Sequence, residues 1–132
     1  MKPPAVIRLE HLYRQPPAKI WRALTDPELH ARWWAKGDVK AVVGHHFTLD
    51  MGPFGQQPCE VLEVIAERRL KYSFAPGTLN TTITWILEPE GEGTKLTLIH
   101  EGFNLDSPLG QQAFKGMGSG WPAILQRLPQ AL

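Results

Sequence analysis

The sequence predicts an α+β fold: a curved antiparallel sheet of six to seven strands, two short helices and a long C-terminal helix, with a cavity enclosed between sheet and helix. Three observations carry this. The middle of the chain has a hydrophobic period of two, broken by short turn signals. It shows no strand–helix–strand alternation, which argues against a parallel sheet. The last stretch, beyond residue 107, is the one segment with a helical stripe long enough to cover a sheet face. At 132 residues the chain suits a single domain spanning 1–132.

Residues 5–13 alternate, with Ile7, Leu9, His11 and Tyr13 on one face and Val6, Arg8, Glu10 and Leu12 on the other. Pro16-Pro17 opens a short helix striped by Ile20, Trp21 and Leu24. Thr25-Asp26-Pro27 ends that helix and starts another, with Asp26 as N-cap and Pro27 in the first turn. The second helix runs from Glu28 to about Trp34 and carries Leu29, Trp33 and Trp34. After Lys36-Gly37-Asp38 strands are expected at 39–43, 47–51, 58–65 and 70–74, with Gly52-Pro53-Phe54-Gly55 as a turn. Residues 81–87 and 94–100 form the clearest hairpin. Centring its turn on Glu90 to Gly93 sets Ile83, Trp85 and Leu87 opposite His100, Leu98 and Leu96. Ser107-Pro108 caps a last helix from Leu109 to about Leu128. Its Pro122 removes a backbone donor, so a kink is expected before Trp121. Gly116, Gly118 and Gly120 within it read as permitting close approach of helix to sheet.

The net charge is +1, from 14 basic and 13 acidic residues of interspersed sign, and the longest basic cluster is Arg68-Arg69 with Lys71 beyond. Nothing here favours nucleic acid or an anionic membrane as partner. Cys59 is the single cysteine, which rules out an intrachain disulfide. Met1-Lys2-Pro3-Pro4 lacks an apolar signal core and no run has transmembrane length. The expected location is the cytoplasm, and the expected state a monomer or weak homodimer.

The interior face offers a candidate binding site. Its sheet side is Phe47, Leu49, Met51, Tyr72, Phe74 and Ile83, with Trp85, Leu98 and His100 on the hairpin. Phe114, Met117 and Trp121 face them from the last helix, and Trp33-Trp34 stand at one end. An aromatic lining with few polar groups is what a hydrophobic ligand requires. His100 is the most notable polar residue, and the register places it inside. Hydrogen bonding to a neighbour is the favoured role for it, ahead of ligand contact. A catalytic alternative would pair it with Tyr72 or with Glu63, which alternation from Val61 places inside and a bulge would turn outward. As a solvated strand carboxylate, Glu63 has no such role, and this is the favoured reading. Adjacent His45 and His46 point to opposite faces, so no metal or cofactor is expected. Cys59 reads as a packed residue, and Ser73, Ser107 and Ser119 lack a nucleophile-elbow context. Ile86 and Ile99 fall on the outward face, where ordinary surface scatter is favoured over a contact patch.

These segments together resemble the START-like (SRPBCC) superfamily, and most closely its branch named for the activator of the heat-shock protein 90 ATPase. The resemblance rests on Trp21, Leu24-Thr25-Asp26-Pro27, Leu29 and Trp33-Trp34, then on Arg69-Leu70 with Tyr72, Thr84-Trp85 and Leu87-Glu88-Pro89. It continues through Gly93-Thr94, Leu96-Thr97-Leu98, His100-Glu101-Gly102-Phe103 and Gly120-Trp121. It implies a helix-grip fold with a cavity under the C-terminal helix. It further implies one of three roles: binding of a lipid-, polyketide- or aromatic-like molecule, cyclase- or hydrolase-type catalysis, or co-regulation of a chaperone ATPase. The chain departs from the pattern at His45, where a second glycine is usual, at Ala41-Val42, where charged residues are, and at Ala66-Glu67, where a proline pair is.

Overall fold

The structure, a computed structural model, describes residues 5–132; the leader reading at Met1–Pro4 lies outside them. Six antiparallel strands form one sheet among the described residues: β1 (Val6–Tyr13), β2 (His46–Asp50), β3 (Gln56–Ile65), β4 (Arg69–Phe74), β5 (Thr81–Glu90) and β6 (Gly93–Glu101). Their order across the sheet is β1-β6-β5-β4-β3-β2. Helices α1 (Pro17–Thr25) and α2 (Pro27–Trp33) connect β1 to β2, and α3 (Pro108–Arg127) packs on the inner face before a closing 3₁₀ turn at Leu128–Ala131.

Alternation decides which face is inside. Ile83, Trp85 and Leu87 pair with His100, Leu98 and Leu96 across β5 and β6, and all six are buried. Burying each such aliphatic side chain contributes roughly 2 kcal/mol. The register is the one the alternation predicts. The strands run further toward the turn than expected, leaving Gly91-Glu92 as a two-residue loop with Gly91 at φ +60°. Ile86 and Ile99 do face outward and are half-buried.

Prolines set the helix boundaries, and side chains reach the carbonyls to which they cannot donate. Asp26 accepts from Glu28 N–H at 3.0 Å and Pro27 opens α2. Pro27 cannot donate to the Ala23 carbonyl, and the Trp33 indole N–H donates to it instead at 2.8 Å. Pro129 likewise cannot donate to Leu125, whose carbonyl accepts the Leu128 N–H and, at 2.7 Å, the Tyr13 hydroxyl. The second bond ties the end of α3 to β1. The Ser107 hydroxyl accepts from Gly110 N–H at 2.9 Å, and α3 runs through Pro122 as one helix.

One sequence expectation is corrected, and the open placement of Glu63 is decided for the favoured, outward reading. Residues 39–43 form no strand: Val42 N–H donates to Lys40 O at 2.9 Å and His45 N–H to Val42 O at 3.1 Å, so the chain coils there. Val42 and Val43 are 50% and 61% exposed, and a β-branched run with no buried face gains nothing from pairing. Glu63 does not face the interior. A bulge between Val61 and Glu63 shifts the register against β4, and the carboxylate lies outside, 2.9 Å from Arg69 Nε. That contact is an ion pair rather than an aligned hydrogen bond, since the buried Arg69 Nε–H has no hydrogen-bond partner.

Candidate functional site

The interior beneath α3 is an aromatic stack rather than a void. Trp85 meets Trp33 and Trp121 edge-on, with ring centres 5.8 Å and 5.6 Å away, and Trp34 lies 4.8 Å from Trp121. The indole N–H groups of Trp85 and Trp121 find partners within this core. The Trp85 indole N–H donates to the Tyr72 hydroxyl at 3.0 Å. The Trp121 indole N–H donates to His100 Nδ1 at 3.2 Å. An indole only donates, so Nδ1 accepts and the His100 proton sits on Nε2, which donates to Thr81 Oγ1 at 3.0 Å. The Thr81 hydroxyl donates in turn to Phe74 O at 3.1 Å. One chain of bonds therefore joins α3, β6, β5 and β4.

Burial holds these groups neutral. It pushes the His100 imidazole down to about 3. His30 is pushed down to about 4, against the opposing effect of its Nδ1–H bond to Ala35 O at 2.7 Å; its buried Nε2 has no partner. Burial also raises the Tyr72 hydroxyl, with the nearby Cys59 adding to the rise and the Trp85 bond opposing it. The Cys59 thiol goes up to about 12 by burial, partly offset by a backbone bond at Ala75. His100, Tyr72 and Glu63 do not assemble as a catalytic set. The first two are fully buried with the bonds just given, and the third is on the other side of the sheet.

The open space lies to one side of this stack. A cavity of about 420 Å³ separates α3 from the β2–β3 hairpin and the loop after β4. From α3, Leu109, Ala113, Gly116, Met117, Gly120 and Ile124 share one stripe, with Gln112 at its edge. Met51, Phe54 and Gln57 face them from the hairpin, and Phe74, Thr78 and Leu79 from the loop. Trp34 and Trp121 close the inner end, while Phe54, 76% exposed, stands at the mouth. The wall is overwhelmingly apolar, and no ionisable side chain stands among the described residues that form it.

The glycines have the opposite role to the expected one. A Cβ built at Gly116 or Gly120 meets no atom within 4 Å, and one at Gly118 only touches Ile7 at 3.8 Å. Glycine inside a helix costs roughly 1 kcal/mol relative to alanine. Here the two cavity-facing glycines leave open space, and no close packing offsets that cost. Close approach occurs elsewhere: Gly93 lies against the Tyr13 carbonyl, Gly37 against Thr48 O and Gly110 against Asn104 O.

Of the lining read from sequence, Trp34, Met51, Phe74, Met117 and Trp121 do border the cavity. Trp33, Leu49, Tyr72, Ile83, Trp85 and Leu98 are sealed in the core with His100 and do not line the cavity. Phe47 packs edge-on to Tyr72 at 5.3 Å, and Phe114 against Phe103 at 5.3 Å. Sequence reasoning missed Phe54, Gln57, Thr78, Leu79 and the Leu109–Ala113 turn. Spacing from Met117 back to Ala113 and Leu109 could have found the helical pair; the loop residues carry no period. His45 Nε2–H donates to the Asp38 backbone carbonyl at 2.7 Å, while His46 lies 3.9 Å from Glu60. No group of three or more His, Cys, Asp or Glu among the described residues is placed to hold a metal.

A curved antiparallel sheet gripping a C-terminal helix beside an apolar cavity defines a helix-grip protein. Residues 14–132 match the profile of the family described as activator of Hsp90 ATPase homolog 1-like protein, and the chain belongs to that family. Among solved structures it is similar to MLL2253 from Mesorhizobium loti, with 33% identity over 96% of this chain and 95% of that one and a TM-score of 0.85. It is also similar to BH1534 from Bacillus halodurans (29%, covering 98% and 96%, TM-score 0.82). A third likeness is to CalU16 from Micromonospora echinospora (26%, covering 96% and 74%, TM-score 0.78). No curated protein matches the sequence. No helix among the described residues is long and apolar enough to cross a membrane.

Proposed function

We propose that the protein binds a hydrophobic small molecule in the cavity between α3 and the β2–β3 hairpin. The observation that carries this reading is a 420 Å³ apolar space bordered by α3, the β2–β3 hairpin and the loop after β4. That volume falls in the range of small-molecule sites. It is about three times an engineered apolar cavity that takes up benzene, so about two to three rings fit. Apolar walls favour such a ligand through the area it removes from water. The Trp33–Trp85–Trp121 stack is a rigid floor, so the site is formed in advance of binding. Thermal unfolding with a panel of uncharged ring compounds and lipid-like compounds tests the reading, alongside native mass spectrometry of the purified protein. A rise in Tm that saturates with ligand, or a retained compound, supports it. No shift with any compound, and no retained mass, counts against it.

A further inference from the structure

Apolarity alone leaves open which hydrophobic molecules the cavity takes, and its few polar atoms narrow the choice. Gln57 donates one of its two side-chain amide hydrogens to the Phe54 carbonyl at 2.7 Å, which leaves Oε1 as an acceptor and one N–H as a donor. Thr78 commits its hydroxyl proton to Ala75 O at 3.1 Å, leaving only lone pairs. Both side chains are neutral, as is Gln112 at the edge of the helical stripe, and both present acceptor oxygens on the sheet side. A ligand hydroxyl can donate to either. A carboxylate has no proton to offer those oxygens and would find neutral amide N–H groups but no cation among the described residues lining the wall. Taking a carboxylate out of water without a cationic partner is strongly unfavourable.

We propose that the cavity selects ring compounds bearing a hydroxyl group over carboxylates of similar shape, and that Gly116 and Gly120 keep it wide enough for the rings. This rests on the binding reading above. The glycine part follows from position: both sit on the α3 stripe that faces the cavity, and a side chain at either would extend into empty space rather than into protein. A larger residue there fills the site while leaving the aromatic floor untouched.

The test uses the full chain with naphthylethanol and naphthylacetate as paired probes near neutral pH, followed by quenching of tryptophan fluorescence and by thermal unfolding. Trp34 and Trp121 are the reporters in the wall. The alcohol should bind at least tenfold tighter than the acetate. Gly116→Leu and Gly120→Leu should each weaken the alcohol by tenfold or more while the folded circular dichroism spectrum is kept and Tm is unchanged or higher. Equal affinity, or a tighter acetate, overturns the selection for hydroxyl while leaving the cavity reading standing. Unchanged affinity in both leucine variants overturns the role of the glycines. Failure of both probes, together with silence across the wider panel, overturns the binding reading itself.

Discussion

Lowering the pH from 7 to 5 should remove about 4 kcal/mol of folding stability through two buried imidazoles. His30 and His100 are each fully buried and held neutral, with folded values of about 4 and about 3 against an ordinary 6.5. Unfolding exposes both rings, and below pH 6.5 the unfolded chain takes up protons that the folded chain refuses. The stability they carry is therefore complete above 6.5 and is lost as the pH falls toward the folded values. At pH 5 the folded rings are still neutral, so the loss is set by the unfolded value: about 1.5 pH units below 6.5, or about 2 kcal/mol per ring. The sum is a large share of the roughly 5–15 kcal/mol a domain of this kind possesses. Urea unfolding at half-unit steps between pH 7 and 5 measures it. Imidazole nitrogen spectra test the cause: His100 should carry its proton on Nε2, His30 on Nδ1, and neither ring should titrate above pH 5. A flat stability profile, or either ring titrating near 6.5 in the folded protein, refutes the reasoning.

Further expectations follow from single contacts. Trp121→Phe keeps the ring but removes the donor to His100 Nδ1, and should cost about 1–3 kcal/mol in urea unfolding by leaving a buried acceptor unpaired. Gly93→Ala places a methyl against the Tyr13 carbonyl and should destabilise by at least about 1–3 kcal/mol. Glu63→Gln removes only a half-exposed ion pair with Arg69 and should change stability by less than about 1 kcal/mol. Cys59, buried and held as a thiol, should react with a thiol reagent only on unfolding, which a stopped-flow comparison with and without urea reads directly.

The sequence carried the parts of the fold that one-dimensional periodicity encodes. Alternation through Ile83, Trp85 and Leu87 specified the hairpin register, because slipping by one residue would expose all three. Asp26-Pro27 and Ser107-Pro108 marked helix starts because the Asp26 and Ser107 side chains act on backbone groups two and three residues away. Reading stayed open or failed where the deciding partner is distant. In Val61-Leu62-Glu63-Val64-Ile65 apolar residues occupy both parities, so the bulge that ejects Glu63 left no pattern. Val42-Val43 had strand composition, but nothing local revealed that no partner covers them. The aromatic residues were identified as interior without indication of whether they fill the space or border it. In three dimensions Trp33, Trp85 and Trp121 fill it, and the gap lies beyond Trp34 and Phe74. A mid-helix glycine reads the same whether a neighbour presses on it or nothing does; Gly116 and Gly120 are distinguished only by what stands opposite.

The most direct test of the account is a methyl-resolved NMR titration with naphthylethanol. Met51, Met117, Leu79 and Ile124 border the cavity, while Ile83, Leu87, Leu96 and Leu98 are sealed behind the aromatic floor. The account predicts saturable shifts at the first group and little change at the second. Shifts concentrated on Ile83 and Leu98, or none that saturate, would contradict it.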